Sequence, residues 1–300
     1  MATAEVATVS AADARPRSAD PVAAAWRRLI ASPVARAGLV IVVAFVLMAV
    51  LTPLVHVYDA KTDSNLVLRL KPPTLAHPFG TDTLGRDLLV RVLHATRVTL
   101  GLAVSAVAVA ALVGSLIGLI AGYLGARTDV VLMFGMDILL AFPGTLLAIA
   151  IVAMMGPGLR NSLFAISLVS IPSYARLSRA AVLSVREQEF VTAARGIGGS
   201  GLRVLLGHIL PNSLPPLIVQ TTLAIAFAIL EAAALGFLGL GAQPPTPEWG
   251  AMLADSYKYF TSGAWWAFLF PGAAIMLSVL GFNLLGDGLR DALDPRLGGS

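Results

Sequence analysis

The chain contains no cysteine and few charged residues. The lack of cysteine excludes disulfides and thiol chemistry. Asp, Glu, Lys and Arg make up only 13% of the 300 residues, about half of the ~25% that is typical of soluble domains. Most of the surface therefore cannot face water. Hydrophobic residues account for 57% of the chain and occur along nearly its whole length, which predicts one membrane-embedded unit.

Three further absences each exclude a class of function. No basic run with interleaved aromatic residues is present, so the net charge of +4 does not indicate a nucleic-acid-binding protein. None of Lys61, Lys71 and Lys258 follows a glycine, so there is no Gly-x-x-x-x-Gly-Lys-Ser/Thr phosphate loop and no ATPase site of that kind. No His-x-x-x-His pair occurs, so neither a metal site nor a bound cofactor is expected on this chain.

Six apolar stretches meet or approach the length of a membrane-spanning helix, which needs about 20 residues to cross ~30 Å of hydrocarbon. They are Ala37 to Tyr58, Val98 to Ala126, Val130 to Leu159, Asn161 to Ala175, Leu214 to Leu240 and Ala264 to Leu285. They are too long for barrel strands and lack strict polar–apolar alternation. The sequence predicts an all-α integral membrane protein with six transmembrane helices.

The distribution of lysine and arginine predicts the orientation. With a cytoplasmic N-terminus, 13 of the 21 basic residues lie on the cytoplasmic side and 8 on the other, so both termini are predicted to be cytoplasmic. The segment Gly85 to Arg97 alternates apolar and charged residues, which predicts an interfacial amphipathic helix. The predicted organisation is a flexible cytoplasmic tail (1–35), a first transmembrane helix (36–58), an extracytoplasmic loop with the interfacial helix (59–97), a five-helix core (98–290) and a cytoplasmic tail (291–300).

A long polar loop, residues 186–211, separates the fourth and fifth predicted spans on the cytoplasmic side. Glu187 to Arg195 is predicted to form a short helix with an acidic start, which suits the helix dipole. The cluster Gly196 to Gly201 ends it, and Leu202 to Ile209 is predicted to form a second short helix. The glycines formally match a dinucleotide fingerprint, but that fingerprint requires a preceding strand. Hinge glycines in a rigid knob that docks into a partner are the better interpretation.

The spacing of Ala193, Ala194, Gly198, Leu210 and Pro211 in this loop resembles the coupling loop of ABC-importer permeases. That loop is written Glu-Ala-Ala, three residues, Gly, nine residues, Ile, any residue, Leu-Pro. The sequence departs from it twice, with Thr192 in place of Glu and His208 in place of Ile. The resemblance implies that these residues contact an ATPase subunit. The full predicted set is Glu189, Thr192, Ala193, Ala194, Arg195, Gly198, His208, Leu210 and Pro211.

Four further segments resemble the C-type subunit of dipeptide and oligopeptide permeases, and together they cover almost the whole chain. They are His77-Pro-Phe-Gly-Thr-Asp-Thr-Leu-Gly-Arg-Asp87, Leu140-Ala-Phe-Pro143, Gly236 to Pro245 with Glu248-Trp-Gly-Ala-Met-Leu253, and Gly286 to Pro295. The resemblance implies a type I ABC-importer permease fold in the bacterial cytoplasmic membrane. It also implies that the chain imports dipeptides or short oligopeptides by alternating access.

The same resemblance implies the partners. They are a sister permease that forms a heterodimer with this chain, two ABC ATPase subunits that bind ATP and Mg²⁺, an extracytoplasmic substrate-binding protein, and membrane lipid. Nickel, haem or glutathione permeases of the same family remain alternatives. An ion-coupled secondary transporter would favour inverted repeats and midplane ligands, and an intramembrane enzyme would need a base at depth. The sequence offers little for either.

A few polar and small residues inside the predicted spans stand out. Asp137 and Glu231 are carboxylates well inside spans, where ionisable groups usually face a cavity or a partner. With the amide of Asn283, they are candidates for the translocation path or a gate. Glycines repeat every four residues at Gly114, Gly118 and Gly122, which predicts close helix packing, either within the chain or against the sister subunit.

Overall fold

The computed structural model describes residues 21–55, 58–59 and 63–293, and over these residues the chain is helical without a strand. The helices are α1 (Pro21–Ala31), α2 (Pro33–Val55), α3 (Leu88–Leu124), α4 (Ala126–Leu140), α5 (Gly144–Met155), α6 (Leu159–Arg186), α7 (Glu189–Gly196), α8 (Gly201–Val204), α9 (Leu210–Phe237), α10 (Trp249–Phe260) and α11 (Trp266–Leu293). Short turns of 3-10 and π type cover Leu66–Leu68 and Leu205–Ile209. The prediction of an all-α protein is confirmed.

By length and composition, four helices in the described part of the chain can cross a membrane: α2, α3, the continuous helix Gly201–Phe237, and α11. A fifth is added if α4 and α5 form one broken span, since they meet at 84°. The predicted fourth span lies inside α6, a 28-residue helix that is not apolar enough to count, because several arginines lie along it. The number of six spans and the cytoplasmic position of the termini therefore stay predictions.

Several predicted boundaries differ from the structure. The predicted interfacial helix Gly85 to Arg97 is the start of α3, because no glycine or proline lies between Leu88 and Val98 to end the helix. The Asp87 carboxylate caps α3 by accepting a hydrogen bond from the Val90 amide at 3.1 Å. Residues 21–31 form α1 where a flexible tail was predicted, and Leu29 is buried there. Residues 1–20 of that tail and the tail beyond Leu293 lie outside the described residues.

The helical core is organised around α3 and α6, which pack along most of their length. The three glycines Gly114, Gly118 and Gly122, called the glycine stripe below, lie at this contact. A Cβ on Gly114 would lie 2.6 Å from the Ile171 carbonyl oxygen, and one on Gly118 would lie 2.7 Å from the Arg179 amide nitrogen. Small residues thus let two backbones of the same chain approach closely. Of the two packing partners that the sequence left open, the structure shows the one within the chain.

The short helix α10, which was not predicted, is capped by a buried carboxylate. Glu248 is 1% exposed and accepts hydrogen bonds from the amides of Gly250 and Ala251 at 2.8 and 2.9 Å and from the Thr99 hydroxyl at 3.4 Å. Burial raises the pKa of the Glu248 carboxyl from 4.5 to about 7, although the three hydrogen bonds favour the charged form. This carboxyl therefore titrates near neutral pH.

Neighbouring contacts hold α10 against α3 and α9. The indole of Trp249 is fully buried and donates a hydrogen bond to the Val92 carbonyl at 3.1 Å. Gly236 on α9 lies directly against the Glu248 carboxylate, so a Cβ there would collide with it. A Cβ on Gly250 would likewise collide with the Ala233 carbonyl. The two halves of one segment that carries the resemblance, Gly236–Pro245 and Glu248–Leu253, therefore form one packed unit.

The loop before α3 is fixed by a buried ion cluster. Asp82, Arg86 and Arg91 are 4%, 6% and 5% exposed. The Asp82 carboxylate accepts from Arg86 Nε at 2.7 Å and from Arg91 NH1 at 2.5 Å, while Arg86 also donates to the Tyr58 hydroxyl at 3.3 Å. Burying charge is tolerated only where the partners are close and hydrogen-bonded. The cluster therefore ties the segment that resembles the peptide permeases to the first turn of α3.

Candidate functional site

The loop 186–211, called the knob below, is a compact unit with its own apolar core. Val191 and Ala194 of α7, Val204 of α8 and Ile209 of the π turn are buried together against Leu119 and Val182 of α3 and α6. The predicted second short helix is not separate, because Gly201–Phe237 is one continuous helix. Pro211 follows the π turn Leu205–Ile209 inside this helix. The knob therefore joins directly to a membrane span.

The turn between α7 and α8 explains why glycines occupy its hinge. Gly198 has a φ of +88°, a conformation that favours glycine. Its amide donates to the Arg195 carbonyl at 3.0 Å, and the Gly199 amide donates to the Ala194 carbonyl at 3.0 Å. These two bonds form a Schellman motif, in which a left-handed residue ends a helix and satisfies its last carbonyls. The chain direction of the knob is therefore fixed by backbone geometry.

Side chains from the knob also fix it to the end of α3. Arg186 donates from NH1 to the Gly122 and Tyr123 carbonyls at 3.0 and 3.3 Å, which satisfies carbonyls that the helix end leaves free. The Tyr123 hydroxyl donates in return to the Gly201 carbonyl at 2.9 Å. A force applied to the knob therefore acts on α3, α6 and α9 together.

The outer face of the knob carries apolar side chains that the rest of the described chain does not cover. Ile197 is 90% exposed and Leu202 is 67% exposed, with Phe190 and Leu206 about half exposed beside them. A cluster of exposed apolar residues on a polar segment is typical of a protein interface. The predicted contact residues divide between this face and the interior. Those exposed are Glu189, Thr192, Ala193, Arg195, Gly198, His208 and Pro211, while Ala194 is buried and Leu210 is partly buried.

The first of the predicted intramembrane residues, Asp137, lies on an outward face formed by α4 and α6. It accepts a hydrogen bond from Arg176 at 2.6 Å, and both side chains are more than half exposed. Two turns earlier on α4, Asp129 forms a two-pronged pair with Arg179 at 2.5 Å. Together with Phe134 and neighbouring apolar residues, these pairs line an open cleft of about 560 Å³. This α4–α6 face thus exposes charge on a membrane protein.

Glu231 lies elsewhere, buried inside the chain on α9. Its Oε1 accepts a hydrogen bond from the Thr145 hydroxyl on α5 at 2.6 Å, while Oε2 has no hydrogen-bond partner in the described part of the chain. The structure does not bring Glu231 together with Asp137. Asn283 is partly buried on α11. Roles of these three residues in a translocation path remain predictions.

Two protein-family models match this chain. Residues 114–299 match the family described as binding-protein-dependent transport system inner membrane component, and residues 21–73 match the N-terminal transmembrane domain of oligopeptide transport permease C. The chain belongs to the binding-protein-dependent transport permeases. It is therefore a multi-pass inner-membrane subunit of an ABC importer. In this family the importer also contains substrate-binding and ATPase subunits, and ATP hydrolysis lies on those separate ATPases.

Named relatives cover nearly the whole chain. The dipeptide transport system permease protein of Alkalihalophilus pseudofirmus is 50% identical over 91% of this chain and 89% of its own length. The probable D,D-dipeptide transport system permease of Escherichia coli is 47% identical over 89% of each chain. The glutathione transport system permease of Pectobacterium atrosepticum is 42% identical over 91% of this chain and 90% of its own.

A solved structure supports the fold. The inward-facing MetNI methionine ABC transporter matches with a TM-score of 0.56, covering 69% of this chain and 98% of that chain. At 17% sequence identity the match shows the fold alone. It confirms the predicted type I permease fold.

Several residues that form the knob or hold it in place were not predicted. Arg186 and Tyr123 fix the knob through hydrogen bonds to backbone carbonyls, which a sequence does not reveal. Ile197 and Leu202 were not among the predicted contact residues. Their position next to the glycine hinge is a signal that could have been used, because apolar residues in a polar loop need a covering partner. Ile209 fills the knob core beside His208, which is exposed at the position where the motif has Ile.

Proposed function

We propose that this permease imports dipeptides, that an ATPase subunit docks on the knob, and that a sister permease covers the α4–α6 face. The observation that carries the proposal is the knob itself. It is a rigid unit with an exposed apolar surface, and it is bonded to the ends of α3 and α6 and continuous with α9. ATP and Mg²⁺ are bound by the partner ATPases in this proposal.

The geometry of the knob suits the transmission of motion. Because α8, the π turn and α9 form one continuous helix, a displacement of the docked ATPase passes into a span without a flexible joint. The hydrogen bonds of Arg186 and Tyr123 carry the same displacement to α3. Differential affinity of the ATPases for the two states would then drive alternating access.

The exposed charges support a permease partner at the α4–α6 face. Ionisable groups on membrane helices face a protein neighbour or a water-filled cavity, because hydrocarbon contact is costly. The Asp137–Arg176 pair is more than half exposed in the single chain. A sister permease at this face, with the translocation path between the two chains, removes both pairs from lipid. In this arrangement Asp137 lines the path, whereas Glu231 braces α9 against α5.

The peptide substrate is proposed from the relatives. Those with the highest identities described above are dipeptide permeases, and glutathione, the substrate named for the third, is itself a small peptide. Uptake of a labelled dipeptide in the native host, with and without deletion of this chain, tests the proposal. Excess unlabelled dipeptide should compete, whereas glutathione, nickel or haem should not. Competition by one of the latter alone would reassign the substrate.

Docking on the knob is tested by co-purification. Three tagged chains are expressed in the native host: the parent, the variant Ile197→Asp and a control variant, Leu75→Asp. Leu75 is fully exposed in the loop before α3, at the opposite end of that helix from the knob. The parent and the control should recover a phosphate-loop ATPase in mild detergent, and Ile197→Asp should lose most of it because a charge enters an apolar contact. Equal recovery by all three would exclude the knob as the docking surface.

If even the parent chain recovers no ATPase while other membrane complexes stay intact, the importer assignment itself fails. Ion-coupled secondary transport would then be the explanation to test, by asking whether a proton or sodium gradient alone drives uptake.

A further inference from the structure

Two arginines lie at the ends of apolar segments, on the side of the chain opposite the knob. Arg97 is the last charged residue of α3 before the uncharged stretch 98–126, and Arg160 lies at the start of α6 just before the uncharged stretch 161–175. Both side chains are exposed. Within the part of the chain that the structure describes, neither forms a hydrogen bond or an ion pair. Since arginine keeps its charge at any ordinary pH, the pair presents two positive charges at a membrane boundary.

Apolar grooves open on both sides of Arg97. One, of about 600 Å³, lies between α3 and the start of α6, and its walls include Leu102, Leu159 and Leu163. The other, of about 520 Å³, lies between α2 and α3, and its walls include Val46, Val50 and Val104. Pro53, Arg97 and Gly101 line both. A single basic side chain therefore lies at the head of two apolar channels.

The grooves extend from the charged boundary toward the hydrocarbon. Arg97 and Val104 are seven residues apart on α3, which is about 10 Å along the helix axis. Gly101 lies between them on the floor, and a Cβ added there would meet no atom within 4 Å. The described residues therefore leave the space above the floor open. Two apolar grooves that meet at Arg97 match a ligand that has two apolar tails and a negatively charged head.

We propose that this surface binds one anionic phospholipid, with its phosphate at Arg97 and Arg160 and one acyl chain in each groove. Charge complementarity favours a lipid over an apolar partner helix, because such a helix would leave both guanidinium groups in an apolar contact. The mainly apolar walls favour a lipid over a peptide. Each basic residue near a membrane surface strengthens the binding of anionic lipid severalfold.

The test compares phosphatidylglycerol with phosphatidylcholine of identical acyl chains. Each lipid is titrated onto the complete detergent-purified chain, with the partners that co-purify, and the bound lipid is counted by native mass spectrometry. Phosphatidylglycerol should bind preferentially. The variants Arg97→Gln and Arg160→Gln should each weaken it about fivefold, and the double variant about 25-fold. Arg127→Gln is the matched control, because Arg127 is exposed near the knob end of α3. It should weaken phosphatidylglycerol binding less than either of these variants, because Arg127 lies outside the grooves.

A second variant tests the grooves separately from the charge. Gly101→Leu fills the open floor at a position where a Cβ meets no described atom within 4 Å, so the chain should fold normally and lose affinity for both lipids. Millimolar inorganic phosphate should not displace the lipid, and displacement would indicate a headgroup site without acyl-chain binding. The proposal is overturned if the two lipids bind equally, or if Arg127→Gln weakens binding as much as the other variants. It is also overturned if Gly101→Leu leaves lipid binding unchanged but loses a second permease chain, because a protein then covers the grooves.

Discussion

The glycine stripe between α3 and α6 allows a graded prediction of stability. In Gly118→Ala, the new Cβ would lie 2.7 Å from both the Arg179 amide nitrogen and the Ser178 Cβ, and closer still to the Ala175 carbonyl oxygen. Two of these three atoms belong to the backbone and cannot rotate away, so the two helices must separate.

The expected cost follows from two effects. Overpacking of a tight core costs about 1–3 kcal/mol. Separation also weakens the hydrogen bond that the Ser178 hydroxyl donates to the Ser115 carbonyl at 2.9 Å, which adds about 1 kcal/mol. The higher helix propensity of alanine returns up to about 1 kcal/mol. A net loss of about 2 kcal/mol is therefore expected for Gly118→Ala.

Two glycines of the same helix serve as references. Gly101→Ala adds a Cβ that meets nothing within 4 Å, so it should be neutral or slightly stabilising. Gly122→Ala should fall between the two, because its three nearest atoms would lie 3.0 Å away and two of them belong to the Val182 side chain. Thermal unfolding of the three purified variants in the same detergent measures the order. If Gly118→Ala melts at the same temperature as Gly101→Ala, the stripe does not set the α3–α6 distance and the reasoning is refuted.

Three further predictions concern buried polar groups. The folded chain binds a proton at Glu248 more tightly than the unfolded chain, because burial raises the pKa of this carboxyl. The stability that the bound proton contributes is therefore present below pH 4.5 and lost as the pH rises through about 7. Melting curves from pH 5 to 8.5 should show this loss, and Glu248→Gln should remove the pH dependence. Asp82→Asn should cost about 3–5 kcal/mol by removing the carboxylate that is hydrogen-bonded to two buried arginines, whereas Asp291→Asn, at an exposed site, should be silent in the same melting assay. Thr145→Val should destabilise the chain by about 1–3 kcal/mol, because it removes the hydroxyl that donates to the buried Glu231 carboxylate. Thr145→Ser keeps a hydroxyl and should retain the parent stability. Equal melting temperatures of the two variants would show that this hydrogen bond does not stabilise the chain.

The sequence predicted the features that depend on local composition. Long apolar runs predicted the spans, because crossing hydrocarbon requires about 20 such residues whatever they pack against. The knob was predictable because its glycines and charges interrupt those runs. The α6 span was harder to judge. Arg176 and Arg179 lower the mean hydropathy of α6. Both arginines pair with carboxylates of α4, and the sequence of α6 alone does not reveal these partners.

The features that the sequence could not provide depend on contacts between distant segments. Thr145 and Glu231 are 86 residues apart, and neither sequence neighbourhood points to the other. Asp82, in a polar loop, resembles a solvated residue, yet it is almost completely buried between two arginines. The short helix α10 was missed for the same reason, since its buried face is created by α11, α9 and α3.

The polar groups of the chain fall into two sets with different consequences. Glu248, Glu231 and the Asp82 cluster are buried and hydrogen-bonded to other parts of the same chain, so they hold the helices in one arrangement. The knob face and the Asp137–Arg176 pair are exposed, and they are the surfaces where a partner would gain contacts. A substitution in the first set should lower the stability of the isolated chain, whereas one in the second should spare that stability and weaken assembly. Asp82→Asn should therefore lower the melting temperature and leave ATPase recovery unchanged. Ile197→Asp should lower ATPase recovery and leave the melting temperature unchanged, when both are measured on the same preparations.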